Sequence, residues 1–442
     1  MPGPVLFDDV QRLLVALVQS ESSLLEGLED LIVVRDLFGR VRFVIEERPK
    51  NRDLSETLQN FAEKAQEKLG QRAYPPEQAF LYRSELASDV ASELDAAREI
   101  FSGPPRLLLL DRQVTGLGWA TTASQQPPGA HRIAFFSLKG GVGRSTSVAA
   151  AAWHLARQGR RVLVLDLDLE APGLSSSLLP ADRMPEFGVV DWFVEDAVGQ
   201  GEAVLERMVG ASPLAQDLEG QIWVAPSHGA NPGDYLAKLG RCYLDLPQTN
   251  GEGHEPWEKR LVRLIEELER RKGADVVLID VRAGLTDLSS VPVTDLGADV
   301  LLFARDTDQT WAGYRLLFEH WRRTEAILAL REHLQIVAAM VPEINQAKYL
   351  EDFRERAWKF FLAYAYDEVP PESSEASGED DFFSFDETDE SAPHAPVPIY
   401  WHRSIASQRN CHELDENLVS ASHGKFLKFI DNLVEAGTEG SP

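Results

Sequence analysis

Residues 133–146 read IAFFSLKGGVGRST, and this stretch decides the fold. An apolar run enters a glycine-rich turn, which is followed by a Ser-Thr pair and an alanine-rich helical pattern that ends at Gly159. Glycines let backbone N–H groups approach an anion closely, and the first turn of a helix adds a partial positive charge. The order of strand, glycine loop and helix therefore predicts a phosphate-binding loop.

The residues of this loop have individual expected roles. Those expected to surround the phosphates of a nucleotide are Gly140, Gly141, Val142, Gly143, Arg144, Ser145 and Thr146. The Ser145 hydroxyl is placed to ligate Mg²⁺, and Thr146 is placed to contact the α-phosphate. A glycine turn of purely structural use is the alternative, and the order of the flanking elements argues against it.

Strands alternate with helical patterns beyond residue 130. Short runs rich in Val, Ile, Leu and Phe lie at 132–138, 161–165, 221–225, 275–279, 299–304 and 335–341. Helical patterns lie between them, for example at 146–158 and 257–271. Apolar strands that alternate with helices predict an α/β fold, with a mostly parallel sheet covered by helices on both faces.

The segment KGGVGRST at 139–146 resembles the deviant Walker A motif of the MinD/ParA family of dimerising P-loop ATPases. More narrowly, it is similar to a variant branch whose loop reads KGGVGR and which is sometimes encoded in bacterial conflict systems. The resemblance extends over about 132–429 and implies a P-loop NTPase fold that binds ATP and Mg²⁺. It also implies that Lys139 reaches across an ATP-sandwich homodimer to the partner's bound phosphates.

The chain departs from the family pattern at one loop position. Arg144 stands where the family has the lysine that contacts the β- and γ-phosphates. A guanidinium neutralises phosphate, but it is longer, planar and forked, whereas an ammonium is a compact point charge. We therefore expect nucleotide binding to survive with Arg144 in a catalytic position, while the rate of hydrolysis stays open.

A carboxylate for the metal ion ends the strand at 275–279. Asp280 and the four residues after it resemble the Walker B strand end and the second switch. The resemblance implies that Asp280 lies near Mg²⁺, which prefers oxygen ligands, and that the Gly284 N–H contacts the γ-phosphate. An aspartate that only caps a turn is the alternative.

A second pair of carboxylates, Asp166 and Asp168, ends the strand at 161–165. Carboxylates at i and i+2 of an extended segment point to the same side, so both can face the phosphates. The resemblance implies a first switch in which Asp166 lies near the metal and Asp168 orients the attacking water, with the switch loop at 170–174. An ordinary polar strand end is the alternative.

Residues 1–122 are expected to form a separate small α+β domain of unknown role. Helical patterns lie at 10–18, 54–69 and 78–100, and strand patterns lie at 31–35, 41–46 and 107–110. A polar joint with two prolines at 121–129 separates this domain from the predicted ATPase domain at 130–442.

An acidic segment interrupts the predicted ATPase domain. Residues 367–390 contain 11 acidic side chains and no Lys or Arg, so we expect a disordered insertion at 366–396. Phe382, Phe383 and Phe385 are unusual in a spacer, which leaves a short docking motif as an alternative. A strand at 397–400 and a closing helix at 414–435 are predicted to follow.

Composition restricts the partners and the compartment. A net charge of −27 disfavours DNA binding by this chain alone, because that activity needs clustered Lys and Arg. The closing helix has only Lys425 and Lys428 as basic residues, which disfavours binding to anionic lipid, and no apolar run approaches the length of a membrane span. The absence of a secretory-signal pattern and the presence of only two distant cysteines predict a cytoplasmic location.

Three functions fit these residues. The first is a dimeric switch that hydrolyses ATP slowly and regulates partner proteins encoded nearby, in a bacterial conflict or defence system. The second, prompted by Arg144, is a nucleotide-dependent scaffold without hydrolysis. The third is a partition or positioning ATPase that acts on DNA or a membrane, which the acidic charge disfavours.

Overall fold

The computed structural model describes residues 4–49, 52–120, 129–247, 254–368, 382–408 and 410–439. These residues form two compact units, one within Met1–Thr115 and the other within Gly116–Pro247 and His254–Pro442. The joint predicted at 121–129 lies outside the described residues except for Gly129. Residues 116–120, which the sequence analysis assigned to the N-terminal domain, group with the second unit, where Trp119 is buried beside Phe136.

The first unit is a small α+β structure. Its elements are α1 (Asp9–Ser20), β1 (Asp30–Arg35), β2 (Val41–Ile45), α2 (Arg52–Leu69), β3 (Phe80–Tyr82), α3 (Ser88–Glu93), β4 (Arg98–Phe101) and β5 (Arg106–Asp111). The strands form one mixed sheet in the order β3-β2-β1-β5-β4. Leu14 of α1 and Phe61 of α2 share a buried core with Phe43 of β2, so both helices cover the same face of the sheet.

The helix predicted at 78–100 is wrong. The region contains β3, the short helix α3 and β4 instead. Its Ala, Leu and Glu residues favour a helix, but residues Phe80–Tyr82 pair with β2, and the rings of Phe80 and Phe43 lie 5.3 Å apart. Strand pairing and aromatic packing therefore outweigh the local helix propensity of this segment.

The second unit is built around one eight-stranded sheet. The strands of the whole unit are β6 (His131–Ser137), β7 (Arg161–Leu167), β8 (Gly210–Ala211), β9 (Gln221–Ala225), β10 (Leu246–Pro247), β11 (His254–Glu255), β12 (Val276–Val281), β13 (Asp299–Ala304), β14 (Leu334–Val341) and β15 (Val397–Tyr400). The sheet order is β15-β14-β13-β6-β12-β7-β9-β8, and β10 pairs separately with β11. All neighbours in the large sheet are parallel except β8 and β9.

Helices cover both faces of this sheet. They are α4 (Arg144–Arg157), α5 (Leu174–Leu178), α6 (Val189–Asp196), α7 (Gly201–Leu205), α8 (Tyr235–Leu239), α9 (Trp257–Lys272), α10 (Asp287–Thr294), α11 (Asp308–Arg323), α12 (Ile327–Leu330), α13 (Gln346–Tyr364), α14 (Arg403–Ala406) and α15 (Glu416–Glu439). Side chains of β6 alternate between the faces: Phe135 packs with Phe426 of α15, and Phe136 packs with Tyr314 of α11. The predicted α/β fold class is confirmed.

The disorder predicted at 366–396 is wrong for the described part of that segment, since 369–381 lie outside the described residues. The rings of Phe383 and Phe385 lie 5.8 and 5.5 Å from the ring of Tyr366. The Tyr366 hydroxyl lies 2.5 Å from Nδ1 of His394, which is fully buried. The aromatic residues between the acidic ones thus provide the buried surface that orders this segment.

No helix among the described residues is both long enough and apolar enough to cross a bilayer.

Candidate functional site

The glycine loop follows β6, near the middle of the large sheet, and forms an open cradle. Gly141 and Gly143 have φ angles of +74° and +83°, which other residues rarely adopt. A Cβ atom added to Gly140 or Gly141 would meet no atom within 4 Å. Val142 is buried in the core and anchors the loop, while Thr146 is half-buried in the first turn of α4.

The backbone N–H groups at 140–146 have no acceptors within the part of the chain that the structure describes. Among the described residues, none accepts a hydrogen bond from the N–H groups of 140–146, and the first such bond comes from Ser147 to Gly143 at 3.0 Å. Unpaired N–H groups at the start of a helix form a site for an anion, and the helix dipole favours negative charge there. The loop residues therefore fit a bound phosphate chain.

The guanidinium of Arg144 lies among the acidic side chains of the site. Nε donates a hydrogen bond to Asp280 Oδ1 at 3.2 Å, and Nη1 donates to Ser137 Oγ at 2.7 Å. Nη2 lies 4.0 Å from Asp168 Oδ2, and Arg144 as a whole is 7% exposed. The planar fork presents separate N–H groups to these partners. Nη2 donates no hydrogen bond to a described residue, so it is the nitrogen left for a phosphate oxygen while Nε and Nη1 keep their partners.

Two of the three predicted metal ligands are in direct contact. The Ser145 hydroxyl donates a hydrogen bond to Asp280 Oδ2 at 2.6 Å. Asp166 and Asp280 are paired residues on the adjacent strands β7 and β12, and both side chains are buried. Mg²⁺ is bound in proteins by one or two carboxylates together with phosphate oxygens and water. The oxygen atoms present here fit that ion.

Burial raises the pKa of each acid at the site. The pKa of Asp166 is raised to about 6 by burial and by the charge of Asp280, against the hydrogen bonds from Ser175. Burial also raises the pKa values of Asp280 and Asp168, and in both cases the charge of Arg144 opposes the shift most strongly. A buried acid with a raised pKa lacks sufficient positive charge around it, so the site favours an additional cation.

Asp166 also fixes the start of α5, directly after the predicted switch loop. Its Oδ2 accepts hydrogen bonds from the Ser175 N–H at 2.9 Å and from the Ser175 hydroxyl at 2.6 Å. Asp168 accepts a 3.3 Å bond from the Ala171 N–H and remains partly exposed. The structure therefore brings both carboxylates to the same edge of the sheet as Asp280. Their roles toward a metal ion and an attacking water stay predictions.

Gly284 and Lys139 lie beside this cluster in different environments. The Gly284 N–H donates to the carbonyl of Ser137 at 3.0 Å, so its predicted phosphate contact requires that bond to break. Lys139 is exposed, and its amino group forms no ion pair with any described residue. An exposed cation beside the loop is free to contact a second molecule, and the role of Lys139 stays a prediction.

Sequence reasoning missed several residues that shape the site. Ser137 contacts Arg144 and ends β6 two residues before Lys139, a position that could have identified it. Ser175 lies inside α5 and donates to Asp166, and no sequence signal indicates that contact. Tyr243 donates to Glu170 from 73 residues away, and no sequence signal announces that contact.

Comparison with known proteins agrees with this geometry. Residues 133–435 match the family model described as the CobQ/CobB/MinD/ParA nucleotide binding domain. An iron-sulfur cluster carrier protein from Pseudomonas fragi is 29% identical over 178 residues, which cover 37% of this chain and 58% of that protein. The chloroplastic Fe-S cluster assembly factor HCF101 from Oryza sativa subsp. japonica is 29% identical over 143 residues, covering 30% of this chain and 25% of that protein. The chain thus spans less than two thirds of the length of either relative.

Solved structures of similar proteins share low identity with the chain. A MinD cell division protein from Aquifex aeolicus is 16% identical with a TM-score of 0.40, covering 71% of this chain and 99% of that chain. pNOB8 ParA bound to nonspecific DNA is 16% identical with a TM-score of 0.40, covering 70% and 99%. A cobyrinic acid a,c-diamide synthase from Mycobacterium smegmatis with ADP and magnesium is 20% identical with a TM-score of 0.37, covering 55% and 86%.

Proposed function

Since this chain belongs to the CobQ/CobB/MinD/ParA nucleotide-binding family, we propose that it is an ATP-binding molecular switch that hydrolyses ATP slowly. The observation that carries the proposal is the open loop at 140–146, whose N–H groups are unpaired within the described residues. A triphosphate supplies acceptors for these groups, and the start of α4 favours its charge.

The acidic cluster supports a requirement for Mg²⁺. Ser145 and Asp280 would hold the ion, with Asp166 close by on the neighbouring strand. When bound, Mg²⁺ neutralises charge on the phosphate oxygens. Arg144 would offer Nη2, which donates no hydrogen bond to a described residue, to a phosphate oxygen.

Hydrolysis is assigned to the chain's own side chains. Asp168 is the group that orients the attacking water, because it is a carboxylate at the site edge that remains partly exposed. Arg144 neutralises charge that develops on the phosphates, and the loop amides hold the phosphates in place.

We also propose that the switch acts as a homodimer. The exposed Lys139, which forms no ion pair among the described residues, would reach the phosphates bound to a second copy, as the loop motif implies. The acidic net charge of −27 supports protein partners rather than DNA. The KGGVGR loop supports partners encoded nearby in a bacterial conflict or defence system.

The experiment that tests this function measures binding and mass together. Calorimetry with a non-hydrolysed ATP analogue and Mg²⁺ should detect one site per chain, and light scattering should detect a doubled mass. The proposal fails if the folded chain binds no nucleotide. If it binds but remains a monomer, the switch survives and the dimer is rejected.

A scaffold without hydrolysis is the second candidate, and the internal contacts of Arg144 favour it. If Arg144 keeps Asp280 and Ser137 as partners when nucleotide is bound, only Nη2 is left for the phosphates, which weakens the neutralisation of charge during hydrolysis. Steady-state phosphate release distinguishes the two functions. A rate in Asp168→Ala equal to that of the unaltered chain would favour the scaffold, and a large loss of rate would favour the switch.

A further inference from the structure

A polar cluster outside the phosphate loop joins the two segments that carry the site carboxylates. Glu170 lies two residues after Asp168, and Arg282 lies two residues after Asp280. Nη1 of Arg282 lies 2.5 Å from Oε2 of Glu170, and the Tyr243 hydroxyl donates to Oε1 of the same carboxylate at 2.6 Å. Both oxygens of Glu170 are therefore engaged, each by a different part of the chain.

The same turn is held at a second point. The Tyr235 hydroxyl donates to the backbone carbonyl of Leu169 at 2.6 Å. The Tyr243 ring packs edge-on against Trp257 at the start of α9, with the ring centroids 5.2 Å apart. Two tyrosines from the α8 region thus fasten the turn at 169–170 on one side, while Arg282 fastens it on the other.

The cluster differs from an ordinary surface ion pair. The side chains of Glu170 and Arg282 are only 27% and 32% exposed, so their attraction is less screened than that of fully exposed charges. Loss of one partner would therefore alter the position of the turn that carries Asp168.

We propose that Glu170 is a positioning residue that couples the first switch to the second through Arg282 and Tyr243. These contacts of Glu170 with Arg282 and Tyr243, here called the tether, keep Asp168 on the same side of the site as Asp280. The tether acts through the backbone that carries Asp168. The inference rests on the proposed function, because it concerns how the same site is assembled.

Hydrogen exchange on the full chain without nucleotide tests the tether directly. Glu170→Gln removes the charge and retains the shape, so the amides of 168–174 should exchange about tenfold faster than in the unaltered chain. Tyr243→Phe should give a smaller increase in the same segment. Glu186→Gln is the matched control, because Glu186 pairs with Arg207 at 2.8 Å with both side chains 53% exposed, and exchange at 168–174 should not change.

Two further measurements separate positioning from general stability. In the double variant Glu170→Gln with Arg282→Gln, the amides of 168–174 should exchange no faster than in whichever single variant exchanges faster. The reason is that the two residues act as one unit. Phosphate release by Glu170→Gln should fall about tenfold at saturating ATP, while the dissociation constant for the ATP analogue stays unchanged.

Results that reject the tether differ from results that reject the proposed function. Unchanged exchange at 168–174 in a folded Glu170→Gln protein overturns the tether, whatever the nucleotide results are. If Glu170→Gln does not fold, unchanged exchange in Tyr243→Phe overturns it instead. Absence of nucleotide binding by the unaltered chain rejects the proposed function, while the exchange data still decide whether the tether exists.

Discussion

Arg144→Met removes the guanidinium that contacts Asp280 and Ser137, and it leaves a shorter, unbranched apolar side chain. Asp280 is 1% exposed, so the variant leaves a buried carboxylate without its cationic partner. Removal of one partner from a buried ion pair costs about 3–5 kcal/mol of folding free energy. The Ser145 hydroxyl still donates to Asp280, which places the expected loss near the lower end of that range.

The loss of folding free energy in Arg144→Met should depend on pH. Burial already raises the pKa of Asp280, and Arg144 is the strongest opposing influence, so the variant raises that pKa further. An acid whose pKa is higher in the folded state destabilises the fold increasingly as pH rises from its unfolded-state pKa to its folded-state pKa, and the full cost remains at higher pH. We therefore expect the difference in unfolding free energy between the unaltered chain and Arg144→Met to be smaller at about pH 5 than at about pH 8.

Urea unfolding followed by tryptophan fluorescence measures this difference. All nine tryptophans lie beyond residue 116, so the signal reports on the second unit. Arg207→Met is the control, since its ion pair with Glu186 is half exposed and should contribute less than about 1 kcal/mol. An Arg144→Met protein as stable as the control at both pH values would refute the role of Arg144 as an internal counter-ion.

Three further predictions test other parts of the structure. Lys139→Ala should retain binding of the ATP analogue but lose the analogue-dependent dimer in light scattering; a persisting dimer would contradict its role. Gly141→Ala places a Cβ in the cradle at a φ of +74°, so it should lower stability by about 1 kcal/mol and weaken analogue binding in calorimetry, and unaltered affinity would argue against the cradle. His333 Nδ1 lies 3.1 Å from Asp299 Oδ1, which raises the pKa of His333 above 6.5 and helps to lower the pKa of Asp299 below 3.8 despite burial. This stabilisation is lost as pH falls through the Asp299 pKa or rises through the His333 pKa, so His333→Ala should lose about 0.5 kcal/mol near pH 5.5 and less near pH 8.5, whereas an equal loss at both would contradict the pairing.

The phosphate loop and the central strands were predictable because their determinants are local. The apolar run that forms β6, the glycines at 140–143 and the helix start at Arg144 are contiguous, so their order alone specifies a strand, a loop and a helix. Asp166 and Asp280 were also predictable, because the carboxyl ends of parallel strands meet at one edge of a sheet.

Contacts between distant segments could not be predicted in the same way. The position of the Arg144 guanidinium depends on the ends of β6 and β12 meeting beside α4, and the tether at Glu170 depends on where the α8 region packs. The strand β3 and the order at 382–396 likewise depend on rings that meet only in the folded chain, Phe80 with Phe43 and Phe385 with Tyr366. In both cases tertiary packing overrode local composition.

Calorimetric titration of the full chain with a non-hydrolysed ATP analogue, with and without Mg²⁺, tests the central claim most directly. The geometry predicts one binding site per chain whose affinity increases with Mg²⁺ and decreases in Ser145→Ala, since Ser145 and Asp280 are the oxygen donors beside the loop. Absence of binding heat, together with an unfolding temperature that millimolar nucleotide and Mg²⁺ leave unchanged, would contradict a nucleotide site at this loop.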